Sequence, residues 1–279
     1  MKKIQQNSLL WKITPSRGTT PSYLFGTMHV RDLRAFGWLE LAQTKIDACD
    51  YFATEFDFAE ADPLALAGAL ALPEGKSLQD FLSRGAWKHL DYFARKKLGT
   101  SAESLRNQHP MSVSTLLSTA FMAEEMSYSL DETLWNHART FGKKTTGLET
   151  FADQLNILQR IPFDLHLKGL TWVLKNHSRQ KTRLKKMMLR YANGELQALY
   201  KAAKKDAKGM RKILIYRRNN LMSQRFVEIM GTHSVFCAVG AGHLSGGKGM
   251  LRLLKKAGCR VEPIFSTQHN ALTDQSTTR

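Results

Sequence analysis

The feature of this sequence that most constrains its fold is a unit that occurs twice, once near each end of the 279-residue chain. In the first copy the apolar run Pro21–Phe25 leads into Gly26-Thr-Met-His29, and in the second the run Ser234–Val239 leads into Gly240-Ala-Gly-His243. A helical pattern and a second apolar run complete each copy, at residues 35–48 and 51–55 in the first and at residues 249–257 and 260–264 in the second. Both copies therefore predict a strand, a turn that contains G-x-x-H, a helix and a second strand.

Strands that are joined through helices favour parallel pairing, and a parallel sheet binds its ligands at the carboxyl ends of its strands. The sequence therefore predicts an α/β (α+β) protein whose mixed, largely parallel sheet is built from both ends of the chain. Both G-x-x-H segments are expected at strand ends. The strand that ends at Glu55 is expected to pair beside the strand that leads to His29.

The middle of the chain is mainly helical in pattern, and we expect it to cover the sheet. Helices are predicted at residues 78–98, 111–126, 131–141, 150–159 and 162–176, with basic helices onward to about residue 230 and one short strand at 144–148. We expect a single domain over residues 1–265, with a sheet core at 9–60 and 232–265 and a helical cover at 63–230. The polar residues 266–279 are expected to form a flexible tail.

Composition excludes several other classes of protein. The apolar residues, 43% of the chain, suffice for a buried core, and the three cysteines (Cys49, Cys237 and Cys259) form no C-x-x-C pair, so they are expected to be reduced thiols. The longest apolar run, Leu64–Leu72, is shorter than the ~20 residues that span a bilayer. Polar residues interrupt the start MKKIQQN, which favours a cytoplasmic protein without a secretory signal.

The net charge of +17 is concentrated in one stretch. Lys175 to Arg218 contains fifteen Lys and Arg but only Glu195 and Asp206 as acids. The pattern favours a solvated helical face, with an apolar side formed by Met187, Met188, Leu189, Tyr191, Leu196, Leu199 and Tyr200. A weak contact with a polyanion, either nucleic acid or anionic lipid, is the alternative.

Five residues are candidates for chemistry. His29, His243 and Glu55 at three strand ends form a set suited to a catalytic divalent metal ion. The alternative is a structural role for each histidine and a surface position for Glu55. Glu149 follows a short strand, where it either acts in catalysis or caps the next helix, and Arg218 either stabilises an anionic transition state or belongs to the basic face.

Gly242 to Gly249 match the phosphate-loop pattern G-x-x-x-x-G-K, but Gly249 stands where such loops need Ser or Thr. We interpret this segment as the glycine-rich entry to the last helix.

Six separated segments together resemble the TraB/GumN family, which is related to the Tiki proteins. They are Leu9–Ile13, Pro21–Val30, Leu130-Asp131, Gly147–Thr150 with Gln154, Arg218-Asn219 and Val239–Leu244. The resemblance implies a mixed sheet with a helical cover, similar to the core of erythromycin-esterase-like and ChaN-like proteins. It also implies a site formed by the paired G-x-x-H motifs and an acid that matches Glu55.

Tiki proteins are metal-dependent proteases, so the resemblance implies a divalent cofactor (Mn, Co or Zn). The first hypothesis is a metal-dependent hydrolase of peptides or small molecules, with His29, Glu55 and His243 as ligands. Glu149 would serve it as a base or a supporting acid, and Arg218 would stabilise negative charge. The second is a non-catalytic binding protein that uses the basic helical face.

Overall fold

Six strands form one mixed sheet in the part of the chain that the structure, a computed structural model, describes: residues 7–16, 20–207 and 209–266. The strands are β1 (Leu10–Thr14), β2 (Ser22–Thr27), β3 (Tyr51–Thr54), β4 (Lys144–Gly147), β5 (Val235–Gly240) and β6 (Arg260–Ile264). The strand order is β4-β3-β5-β2-β1-β6. The β4–β3, β3–β5 and β5–β2 pairs are parallel, whereas β1 is antiparallel to both β2 and β6.

The prediction of a mixed, largely parallel sheet is confirmed, but one expected pairing is wrong. β3, which leads to Glu55, pairs with β5 and not with β2. The physical reason is burial: β5 is apolar and buried over Val235–Val239, which is typical of a central parallel strand. The strand that leads to His243 therefore separates the strands that lead to Glu55 and His29.

The predicted helices occur in order with shifted ends, and α2 (Pro63–Ala69) is a further helix that was not predicted. They are α1 (Leu39–Asp47), α2 (Pro63–Ala69), α3 (Leu78–Phe81), α4 (Arg84–Phe93), α5 (Pro110–Ala120), α6 (Leu130–Thr140), α7 (Phe151–Gln159), α8 (Phe163–Lys175), α9 (His177–Ala192), α10 (Leu196–Asp206), α11 (Arg218–Met230) and α12 (Met250–Lys256). The single helix predicted at 78–98 is wrong, because Ser83 caps a new helix after α3, and a π-helical turn, Ala94–Leu98, ends α4. A second π-helical turn, Lys212–Arg217, precedes α11.

The sheet belongs to the first of two compact units, formed by Met1–Glu60, Met126–Thr150 and Met188–Arg279. Its core centres on three fully buried rings: Phe236 of β5 lies 6.1 Å from Phe25 of β2 and stacks on Phe52 of β3 at 5.9 Å. Aromatic pairs of this kind stabilise a core beyond the effect of their buried area. The rings fix β5 between its neighbours, and thus fix the strand ends.

The second unit, Ala61–Glu125 and Phe151–Met187, is helical. Its core packs α5 against α8, with Val113, Leu117, Leu170 and Leu90 fully buried. The expected single domain remains a prediction. The expected tail lies outside the described residues, except for Ser266. Among the described residues, no helix is long and apolar enough to cross a membrane.

Candidate functional site

The candidate residues follow strands whose carboxyl ends meet at one edge of the sheet. Thr54, the last residue of β3, pairs with Gly147 of β4 and with Ala238 of β5, and Gly240 of β5 pairs with Thr27 of β2. Across this edge, Glu149 follows β4, Glu55 follows β3, His243 follows β5 and His29 follows β2. The sheet therefore orders the predicted residues along one line.

Arg218 joins the two carboxylates of this edge. Its Nη2 atom donates to Glu55 Oε2 at 2.5 Å and to Glu149 Oε2 at 2.6 Å, and its Nε atom donates to both oxygens of Glu149 at 3.0 and 2.9 Å. The side chains of Arg218 and Glu149 are 12% and 1% exposed, and that of Glu55 is 25% exposed. Charge-assisted hydrogen bonds are among the strong ones in proteins, and shielding from water strengthens them further. The three residues form an ionic cluster that is open to solvent on the Glu55 side.

The backbone around Glu55 completes this cluster. The Gly240 N–H donates to Glu55 Oε1 at 2.8 Å, and the Glu149 N–H donates to the Glu55 carbonyl at 2.6 Å. A Cβ atom at Gly240 would lie 3.2 Å from Glu55 Oε1, so the absence of a side chain there lets the carboxylate approach the strand. The glycine of the second G-x-x-H motif thus has a specific steric role.

Arg218 begins α11 directly after the π-helical turn Lys212–Arg217. Single π turns inside helices are frequent at functional sites. Arg217 remains exposed while Arg218 is largely buried among acids. Arg218 is thus bonded to carboxylates, unlike the exposed residues of the basic face, and its contact with an anionic transition state stays a prediction.

Asn219 fixes the orientation of His243. Its side-chain amide donates to the backbone carbonyls of His243 at 3.2 Å and Lys248 at 2.7 Å, so the amide oxygen has to face His243 Nδ1, at 2.6 Å. An amide oxygen only accepts, so Nδ1 carries the proton. In the neutral ring the other nitrogen, Nε2, is then unprotonated.

Burial and charge set the protonation of this cluster. Burial, with the Arg218 charge, lowers the pKa of His243 to about 4 although Glu55 opposes the change, so the ring is neutral at pH 7. Burial alone would raise the pKa of Glu55, but the Arg218 charge and the Gly240 N–H hold it well below its usual range. The cluster therefore contains an unprotonated imidazole nitrogen and ionised carboxylates around one guanidinium, which gives it a net negative charge.

His29 lies in different surroundings at the same edge. Its side chain is 69% exposed, and its Nδ1 atom lies 3.7 Å from Asp131 Oδ2. The Thr27 hydroxyl donates to the other oxygen of Asp131 at 2.5 Å. The nearby Asp131 carboxylate raises the pKa of His29, against the opposing effect of burial.

Two donor atoms of the cluster suit a divalent cation, because metal ligands bind in their deprotonated form. They are His243 Nε2 and Glu55 Oε1, which lie 3.6 Å apart. In the described ranges no group of three or more His, Cys, Asp or Glu side chains is arranged to hold a metal ion. The donor atoms of His243 and Glu55 therefore suit a divalent cation. His29 lies near Asp131 instead.

The structure thus brings together Glu55, Glu149, Arg218 and His243. Reasoning from the sequence did not assign a role in the site to Asn219 or Asp131. The signal was nevertheless present, since Asn219 follows Arg218 directly and Leu130-Asp131 is one of the six segments that carried the family resemblance.

Comparisons with known proteins agree with that resemblance. The model of the TraB/PrgY/gumN family matches residues 9–263. Metalloprotease TIKI2 of Danio rerio is 26% identical to the chain, over 92% of this chain and 61% of the relative. Metalloprotease TIKI1 of Homo sapiens is 24% identical, over 98% and 65%. A metalloprotease TIKI homolog of Nematostella vectensis is 22% identical, over 94% and 68%.

The chain spans about 60% of the length of the curated TIKI2 relatives that it matches. No solved structure is significantly similar to it, so the expected ChaN-like core is not confirmed. The family match, in contrast, covers the sheet and all of the candidate residues. The chain therefore belongs to the TraB/PrgY/gumN family.

Proposed function

We propose that this protein is a peptidase-like hydrolase that uses a divalent metal ion at the carboxyl edge of its sheet. The observation that carries the proposal is the pair formed by His243 Nε2, which is unprotonated, and the ionised Glu55 carboxylate, 3.6 Å apart. Each of the two atoms can donate a lone pair to a divalent cation, and Arg218 lies beside both residues. The family and the metalloprotease names of the relatives support the same conclusion.

His243 and Glu55 would hold the ion, with His29 from the end of β2 as the third ligand. Bound Mn, Co or Zn would polarise a substrate carbonyl and lower the pKa of a bound water. The low pKa of His243 keeps Nε2 unprotonated at neutral pH, so no proton has to leave before a metal ion binds there. The net negative charge of the cluster attracts the cation and opposes binding of a second anionic group.

Arg218 supplies positive charge to the same site. Its Nη1 atom lies 3.5 Å from His243 Nε2, on the ligand side of the imidazole. A fixed guanidinium there stabilises negative charge that develops on a substrate carbonyl oxygen. Glu149 is buried and bonded to Arg218 through both oxygens, which favours the role of a supporting acid that orients Arg218 over that of a general base.

The test is metal content and peptidase activity measured on the same preparations. We expect one divalent ion per chain in the wild type after purification with Mn, Co or Zn, and a large loss of both metal and activity in His243→Ala and Glu55→Gln. His89→Ala, which changes an exposed histidine far along the sequence from the motifs, is the matched control and should retain both. Equal, negligible metal in all four proteins would contradict the proposal.

A second candidate function is suggested by α9. Between Lys175 and Gly194 the sequence contains no acid, and Arg179, Lys181, Arg183, Lys185 and Lys186 of this helix are exposed. The predicted apolar side is buried or half-buried except for Leu189, which is 53% exposed. We infer that this face makes a weak electrostatic contact with a polyanion, whose affinity falls steeply with salt.

Duplex DNA, RNA and anionic vesicles at low salt are the probes for this second function. Neutral substitutions of Lys181, Lys185 and Lys186 should weaken the binding. The same number of charges removed at Arg252, Lys255 and Lys256, which are exposed near α12, should leave it nearly unchanged. Absence of binding to all three probes would exclude this function.

We also propose a reducing, cytoplasmic location, because Cys49, Cys237 and Cys259 are all buried and unpaired. Microscopy of a fluorescent fusion tests it, and a signal outside the cytoplasm would contradict it.

A further inference from the structure

A buried carboxylate oxygen of Asp131 has one donor within reach. Asp131 is the second residue of α6, and its side chain is 14% exposed. Oδ1 accepts the Thr27 hydroxyl, but Oδ2 is buried and accepts no hydrogen bond from the residues that the structure describes. The His29 Nδ1 atom lies 3.7 Å from Oδ2.

A buried acceptor without a partner costs about 1–3 kcal/mol. A small rotation of the exposed His29 ring removes this cost, because it brings Nδ1–H within hydrogen-bond distance of Oδ2. The arrangement therefore favours a proton on Nδ1 whenever the His29 ring is neutral.

The backbone holds the two residues in this relation. The Leu130 N–H donates to the Val30 carbonyl at 3.1 Å, and the Met126 N–H donates to the Arg31 carbonyl at 3.0 Å. Ser129 and Glu132 form a reciprocal capping box at the start of α6, which makes this end of the helix rigid. The segment after β2 and the start of α6 are thus joined directly beside the His29–Asp131 pair.

We propose that Asp131 is a positioning residue for His29, which accepts a hydrogen bond from Nδ1–H and so leaves Nε2 unprotonated and directed away from the carboxylate. Asn219 does the same for His243 through its amide oxygen. A carboxylate partner makes an imidazole more basic than an amide partner does, so the two motif histidines would differ as ligands. A role of Asp131 in catalysis rests on the proposed function, but its hydrogen bond to His29 does not.

The test is ¹⁵N NMR of the full chain labelled at histidine, without metal and at a pH well above the ordinary histidine pKa of about 6.5. His29→Gln assigns the His29 signals, and the exposed His89 in the same spectrum serves as the reference. We expect the Nδ1–H tautomer for His29 in the wild type. In Asp131→Ala the His29 signals should move to the positions of the His89 signals.

Two further variants separate positioning from helix stability. Thr27→Val removes the hydroxyl that holds Oδ1 and should shift the His29 tautomer in the same direction by a smaller amount. Ser129→Ala removes the cap of α6 and should lower the free energy of unfolding without moving the His29 tautomer. Unchanged His29 signals in both Asp131→Ala and Thr27→Val would overturn the proposal, and Thr27→Val alone decides it if Asp131→Ala does not fold.

Binding of Mn²⁺ measured by calorimetry distinguishes this inference from the proposed function. Loss of a carboxylate that supports a ligating histidine weakens metal binding about 10–100-fold, which is the change expected for Asp131→Ala. If the wild type binds no metal but the tautomer shift occurs, the proposed function fails and the positioning role stands. If the wild type binds metal and Asp131→Ala changes neither tautomer nor affinity, the positioning role fails alone.

Discussion

The two G-x-x-H histidines occupy equivalent places at one edge of the sheet, yet their surroundings differ. His243 is 9% exposed, and it lies against an amide oxygen, a guanidinium and a carboxylate. His29 has a side chain that is 69% exposed and lies near one carboxylate. Burial lowers the pKa of His243 to about 4, whereas the nearby Asp131 carboxylate raises the pKa of His29.

This difference shows what a repeated motif does and does not determine. The strand and the glycine place each histidine at the sheet edge, because Gly26 and Gly240 both allow close approach of neighbouring atoms. The protonation of each ring is set instead by residues from distant parts of the sequence. One motif thus produces a neutral, fixed imidazole and a more basic, adjustable one.

The largest expected effect comes from removing the Arg218 guanidinium, which lies beside His243. Arg218→Met removes the guanidinium that is bonded to the buried Glu149 and should lower the free energy of unfolding by about 3–5 kcal/mol. Arg217→Met, at the exposed neighbour, should change it by no more than about 0.5 kcal/mol. Urea unfolding of both variants measures the difference, and equal losses would contradict the ionic cluster.

The pH dependence of stability tests the same comparison. As the pH rises, His243 should increase the free energy of unfolding and His29 should decrease it. The folded pKa of His243, about 4, is below the ordinary 6.5, so its contribution is complete above pH 6.5 and is lost as the pH falls toward 4. A tenfold change in proton affinity on folding corresponds to roughly 1.4 kcal/mol of stability. His29 has a raised pKa, so its contribution is complete below pH 6.5 and is lost as the pH rises through the folded value.

Urea unfolding of the metal-free protein between about pH 5.5 and about pH 9 measures both effects. The lower limit lies about one unit above the ordinary glutamate pKa of about 4.3, which excludes most of the titration of Glu55 in the unfolded chain. His243→Gln should remove the loss of stability on acidification. His29→Gln should remove the loss of stability that occurs as the pH rises. If both histidines changed the free energy of unfolding in the same direction as the pH rises, the comparison would be wrong.

Asn219→Ala should cost about 1–3 kcal/mol, because it leaves His243 Nδ1 and the carbonyls of His243 and Lys248 without their partner. Asn220→Ala, at the exposed next residue, is the matched control. Unfolding experiments give the free energies, and NMR of His243 should show mixed tautomers in the Asn219 variant only. A fixed Nδ1–H tautomer in that variant would show that Asn219 does not set it.

The smallest effects concern the motif glycines. A Cβ atom at Gly26 would lie 3.1 Å from Ala241 Cα, a backbone atom, so Gly26→Ala should cost about 1–2 kcal/mol. At Gly240 the nearest atom is the end of the Glu55 side chain, so Gly240→Ala should cost less but displace the carboxylate. Gly68→Ala in α2, with nothing within 4 Å, should be neutral or stabilising and is the control in thermal unfolding. A loss for Gly68→Ala as large as that for Gly26→Ala would contradict the steric argument.

Local patterns predicted much of the fold, since alternating apolar runs and turn residues locate β2, β3, β5 and β6 to within a residue or two. β1 was not predicted, because Lys12 interrupts its short apolar run and its pairing to β6 depends on residues about 250 positions away. The place of β5 between β3 and β2 was also missed. Adjacent strands in the sequence suggest pairing, and only the packing of Phe236 between Phe25 and Phe52 decides otherwise.

The sequence predicted which strand ends carry the candidate site, but it did not predict the hydrogen bonds and ion pairs between its side chains. Glu55, His29 and His243 each follow a recognisable apolar strand, and Glu149 follows the short polar strand β4. The partners of Arg218 lie 69 and 163 residues away in the sequence, and no local pattern relates them. Asn219 and Asp131 are ordinary helical residues in the sequence, and their roles follow from the atoms that they face.

The position of β5 also has a consequence for how the protein is made. This strand is central in the sheet but comes after more than 230 residues of the chain, and β6 joins β1 across a Ser8–Ile264 hydrogen bond that spans 256 residues. Contacts of such long range form late and slowly during folding. At about 5–20 residues per second of synthesis, a nascent chain holds Glu55 and Glu149 for several seconds before Arg218 and His243 exist to meet them. Glu55 and Glu149 are therefore synthesised before Arg218 and His243, and the candidate site forms only when β5 has joined the sheet.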